Sequence, residues 1–103
     1  MNLTAFDSFL KEARVRQDLI MLQKGGDYTR GVDDRLANFK VTAEAIGLTP
    51  LQVWAVFAHK HWDAIMTYTQ GGKVASENIE GRFDDLINYL YLGMALIEEK
   101  YEV

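Results

Sequence analysis

Arg82, Asp84, Asp85 and Asn88 are the residues of this chain best placed to do chemistry, because they share a segment that is otherwise strongly apolar. From Leu86 to Ile97 only Asn88 is clearly polar. At about 100° per residue of helix, Arg82, Asp85 and Tyr89 project within roughly 60° of one another. A carboxylate drawn away from water requires a cation, a metal or several hydrogen-bond donors. The cluster therefore reads either as an ordinary Arg–Asp pair at an exposed helix end or as an ionic group that a bound species helps to neutralise.

A second group is His59, Lys60, His61, Trp62 and Asp63. Trp54, Phe57, Ala58, His61 and Ile65 fall on one helical stripe, so His61 is either a hydrogen-bonded core histidine or a ligand contact. Lys60 and Asp63 lie three apart on a neighbouring face, where a surface ion pair contributes little. His59 points away from the stripe, into solvent. Histidines two positions apart cannot share a helical face, so no zinc pair is expected. A third group, Lys24, Asp27, Tyr28, Arg30, Asp33, Asp34, Arg35 and Asn38, surrounds three glycines. It suits a loop folded over a phosphorylated ligand, with tyrosine stacking and arginine on phosphate, or a solvated connection. The glycine, lysine and hydroxyl set of a phosphate loop does not follow Gly25 and Gly26.

The elements that must position these groups are helices. Apolar spacing predicts them over about 4–24, 33–47, 49–69 and 77–101, an all-α, four-helix bundle-like fold in a single domain, 1–103. Gly25 and Gly26 are expected to end the first in a left-handed conformation. Asp33 or Asp34 is expected to cap the second and Gly47 to close it. Thr49, Pro50 and Gln52 form a capping box with proline at the first helical position, and Ser76 or Asn78 opens the last helix. In that helix Ile79, Phe83, Leu86, Leu90 and Ile97 read as the core stripe, with Tyr89, Leu92 and Leu96 on another side. A helix apolar nearly all round needs more cover than four helices supply, so a homodimer or higher oligomer is expected.

Bulk properties narrow the function further. The chain has 103 residues, 49% hydrophobic and 12% aromatic, which suffices for a core. A net charge of −4 with scattered lysines and arginines argues against a nucleic-acid polymer as partner. The absence of cysteine removes disulfides, thiolate–metal sites and thiol nucleophiles. No apolar run reaches the roughly 18 residues of a membrane span, and no signal-peptide core is present. A cytoplasmic protein, not tied to a membrane, is expected.

Lys24, Asp27-Tyr28, Asn38-Phe39, Ala43, Gly47, Thr49-Pro50, Lys60-His61, Glu77, Gly81-Arg82, Asp85 and Asn88-Tyr89 occur in an order that resembles a group of small helical phage and prophage proteins. These are similar to the domains labelled "nucleotide-modification associated". The resemblance covers about three quarters of the chain, and order and spacing carry it rather than any one motif. It implies a phage-type protein, acting in the host cytoplasm, that binds a nucleotide or similar phosphorylated molecule through Lys24, Asp27, Tyr28, Asn38, Lys60, His61, Asp63, Arg82, Asp85, Asn88 and Tyr89. Its role would lie in nucleotide metabolism or in sequestering a host nucleotide signal, by binding rather than turnover and with no cofactor. Asp85-Leu86-Ile87-x-Tyr89-Leu90 also looks like the closing helix of the MazG-like all-α nucleoside triphosphate pyrophosphohydrolases. That likeness implies a magnesium-dependent enzyme using Asp84, Asp85 and Glu80 or Glu77. The MazG-like pattern holds magnesium with a Glu-Glu-x-x-Glu cluster on an early helix, and here Glu12 and Asp18 stand in its place. Arg82 stands three residues before Asp85, where that pattern has glutamate, which shifts the site from metal binding towards anion binding. A dimeric scaffold without a small ligand is the remaining alternative.

Overall fold

A computed structural model describes residues 1–25, 29–72 and 78–99. Its described residues form four helices and no strand: α1 (Leu3–Gln23), α2 (Ala37–Ile46), α3 (Pro50–Thr69) and α4 (Ile79–Glu98). The ends follow from local chemistry. Thr49 accepts the Gln52 N–H at 3.1 Å while the Gln52 side chain accepts the Thr49 N–H at 2.9 Å, completing the expected capping box. Gly47 closes α2 at φ 75°, in the left-handed region that costs a side chain energy. Asn78 caps α4 by accepting the Gly81 N–H at 2.8 Å. Ser76 and Glu77 lie outside the described residues.

Two helix ends differ from expectation. α2 begins at Ala37 rather than near residue 33, because Asp34 builds a preceding turn instead of capping the helix. Its side chain accepts the Leu36 N–H at 2.9 Å and its carbonyl accepts the Ala37 N–H at 3.2 Å. At the end of α1, Gly25 does not take a positive φ. It leaves room for Arg35, whose guanidinium a Cβ at position 25 would strike. Arg35 needs that path because it donates to the Met21 carbonyl at 2.6 Å, satisfying one of the orphan acceptors of the last turn of α1.

α3 and α4 form the principal pair, α2 lies on α3, and α1 rests on α4. The core joins Leu36, Phe39 and Ala43 to Val53 and Ala58 of α3 and to Tyr89, Leu92 and Leu96 of α4. The expected core stripe of α4 is thereby corrected. Tyr89, Leu92 and Leu96 face inward, whereas Phe83, Leu90 and Ile97 are 50%, 50% and 54% exposed. Leu86 is half-buried beside the core and Ile79 is half-buried. Both arcs of α4 are apolar, and the choice fell to the arc that meets α3. The expected α3 stripe agrees better, with Ala58 and Ile65 buried and Trp54, Phe57 and His61 half-buried.

Close approach of α3 and α4 depends on Gly93. A Cβ there would lie 2.6 Å from two carbons of the Trp54 indole. That ring cannot swing aside freely, since its Nε1 donates to the Tyr89 carbonyl at 2.5 Å. Gly93→Ala is therefore expected to destabilise the fold by about 1–3 kcal/mol despite alanine's better helix propensity. Denaturant unfolding followed by helical circular dichroism checks this, and a stabilised variant would contradict the packing.

The α2 end of the fold is tied to the end of α4 by Lys40, which donates to Asp34 at 2.6 Å and Glu99 at 2.8 Å. Burial opposes the Lys40 charge, but the bonds to the two carboxylates outweigh it and raise the ammonium above the usual lysine range. Asp34 is correspondingly lowered, first by Lys40 and then by the Leu36 N–H. Among the described residues no single helix is long and apolar enough to cross a membrane.

Candidate functional site

The C-terminal half of α1 brings cations to the carboxylates of α4. Arg16 makes a two-pronged contact with Asp84, Nε to Oδ2 at 2.8 Å and Nη2 to Oδ1 at 3.1 Å. Lys24 Nζ donates to Asp85 Oδ1 at 2.7 Å. Asp84 and Asp85 are 4% and 8% exposed, so each carboxylate is largely withdrawn from water and held by a cation whose own side chain remains nearly half exposed. Being adjacent on a helix, the two carboxylates point about 100° apart and are neutralised separately.

Behind Asp85 stands an aromatic wall. The His61 and Tyr89 rings lie 5.0 Å apart. Tyr89 stacks on Phe57 at 6.5 Å and meets Phe39 edge-on at 6.3 Å. His61 Nδ1 is 4.0 Å from Asp85 Oδ2, close enough for attraction but too far for a hydrogen bond. Met21, Lys24, Asp85, Asn88, Tyr89 and Leu92 enclose a narrow chamber of about 10 Å³, at the lower limit for one water.

On the solvent side of Met21 and Asn88 opens a larger cleft of about 510 Å³, lined by Arg14, Gln17, Asp18, Met21, Asn88 and Tyr91. Met21 and Asn88 line both spaces and form the partition between them. Asn88 is 7% exposed, and its Nδ2 has no hydrogen-bond partner among the described residues. A buried amide donor left unpaired costs about 1–3 kcal/mol.

Five of the residues singled out by sequence thus converge: Lys24, His61, Asp85, Asn88 and Tyr89. His61 is both a core neighbour, with its side chain 12% exposed, and a close neighbour of Asp85. Arg82 is half-buried one turn before Asp85, outside the linings of the cleft and chamber. Asn38 sits at another place, within 3.4 Å of Arg30. Lys60 is exposed, and Asp63 is 62% exposed beside His59 Nδ1 at 3.2 Å rather than beside Lys60. Asp27 and Tyr28 lie outside the described residues.

The residues that sequence reasoning missed come from α1. Arg14, Gln17, Asp18 and Met21 follow three- and four-residue spacing and form one face, a signal available in the chain. Among the described residues, no three His, Asp or Glu side chains gather as a metal site. Both oxygens of Asp84 are bonded to Arg16 and Oδ1 of Asp85 to Lys24, so the two carboxylates are already neutralised by cations and fit a magnesium ion poorly. Set against family models, curated proteins and solved structures, the chain matches none of them.

Proposed function

We propose that the protein binds a small phosphorylated ligand of nucleotide type in the cleft between α1 and α4, as a phage-type factor in nucleotide metabolism or in the sequestration of a nucleotide signal. The observation that carries this reading is a cleft of about 510 Å³, large enough for a small organic molecule, that gathers Arg14, Gln17, Asp18, Asn88 and Tyr91 around one space. Asn88 meets the polar edge of the base from the cleft lining. Tyr91, 59% exposed at the rim, offers its ring face. Arg14 meets the phosphate, and Gln17 and Asp18 take sugar hydroxyls. Arg16 and Lys24, already engaged by the buried carboxylates, serve to hold α1 against α4 so that the cleft keeps its shape.

Isothermal titration against nucleoside mono-, di- and triphosphates and cyclic nucleotides tests this. One class is expected to bind. Arg14→Ala and Asn88→Ala are each expected to weaken it about 10-fold or more, the value of one charge-assisted or buried hydrogen bond. Absence of heat across the panel, with an unchanged melting temperature, would remove the proposal. Magnesium-dependent release of pyrophosphate, lost in Asp85→Asn, would instead place the protein among triphosphate-cleaving enzymes.

A further inference from the structure

The outer face of α4 carries Phe83, Ile87, Leu90, Met94 and Ile97, spaced four, three, four and three residues apart over four turns. That is the 3.5-residue period with which one helix packs along another. Phe83, Leu90, Met94 and Ile97 are 50–64% exposed and Ile87 is half-buried, so the described residues of one chain leave most of the row uncovered. Alongside it runs an open apolar groove of about 380 Å³ formed with Trp54, Ala58, Trp62 and Leu86.

The exposed area of the chain as a whole, α1 included, leaves room for such cover. A compact monomer of this mass exposes about 5,900 Å². This chain exposes 7300 Å², an excess of about 1,400 Å² over that expectation. Its radius of gyration is 15.5 Å, against about 13 Å for a compact chain of this length. A stable two-subunit interface removes about 800 Å² from each partner, which the excess can supply.

We infer that the Phe83–Ile97 row is the seam of a two-fold dimer, in which α4 of a second copy lies along α4 of the first. The row is self-complementary, as an isologous contact requires. Leu90 stands at its centre, seven residues from each end, so it meets its own counterpart whether the helices run parallel or antiparallel. A membrane surface suits the row less well, because helices that lie on membranes carry lysine and arginine beside the apolar face. Here exposed Glu80 and Glu98 sit on α4 instead, on a chain of net charge −4. The inference stands apart from the ligand proposal, since the row lies outside the linings of the cleft.

Sedimentation of the wild-type chain is expected to show a dimer. Leu90→Asp combined with Met94→Asp should raise the dissociation constant about 100-fold or more, with helical content unchanged because both side chains are exposed in the single chain. Phe6→Asp with Phe9→Asp, on the exposed apolar part of α1, should leave the dimer intact. A second readout does not depend on the charged variants folding. The chain has no cysteine, so Leu90→Cys treated with diamide should form a covalent dimer, two thiols giving one disulfide, whereas Phe6→Cys should not. A wild-type monomer at high concentration, a dimer that survives the α4 double substitution, or cross-linking at position 6 in preference to 90 would each overturn the seam.

Discussion

Phe39→Ala is expected to lower the stability of the protein by about 3–5 kcal/mol, the range for removing a fully buried phenylalanine. Phe39 is completely inaccessible to solvent, and its ring meets Phe57 and Tyr89 with centroids 6.3 Å away in each case. Through it α2 meets both Phe57 of α3 and Tyr89 of α4. Alanine would leave a hole bordered by two rings that cannot collapse without moving those helices. Folding stabilities of small domains are only about 5–15 kcal/mol. A loss of this size should depress the melting temperature by more than about 10 °C, at roughly 4–8 °C per kcal/mol. The damage should also reach the cleft, because Tyr89 borders the chamber that contains Lys24 and Asp85. A melting curve shifted by only a degree or two would show that the aromatic wall is not the support described above.

The second large effect is an asymmetry. Arg16→Ala should cost about 1–3 kcal/mol, because it abandons the Asp84 carboxylate in a place where its side chain is only 6% exposed. Asp84→Ala should cost less. It releases an arginine whose side chain is 46% exposed and can be hydrated where it stands. Combining Arg16→Ala with Asp84→Leu should recover most of the loss, since an apolar residue needs no partner. Denaturant unfolding of the three variants beside the wild type measures the cycle. Equal costs for the two single substitutions would mean that Asp84 finds water or another donor. The same pair governs α1, in which Ala13 is the only buried residue. Limited proteolysis of Arg16→Ala should therefore cut first within α1.

Much of this could be read in advance where the cause is local. The Thr49–Gln52 box and the left-handed Gly47 involve groups within a few residues of each other, and both formed as their residue types demand. The cluster Asp85, Asn88 and Tyr89 was also legible, because polar groups inside an apolar helix stand out in any numbering. Arg16 was not, for its partner lies 68 residues away. Nothing in the neighbourhood of either residue announces the other. Lys60 and Asp63 were attractive by type, yet they point to water because His61, between them, takes the inward position on α3.

By itself, the order of residues determined that the described chain is helical and, for most helices, where they begin and end. Such properties depend on hydrogen bonds and dihedral preferences that reach only three or four residues. Which side of α4 is buried, which lysine or arginine meets each carboxylate, and where a cleft opens were decided only when the helices packed. α4 offers two arcs of similar apolarity, and a hydrophobic driving force proportional to area cannot choose between them. The fit of Gly93 against Trp54 and of Tyr89 against Phe39 made that choice.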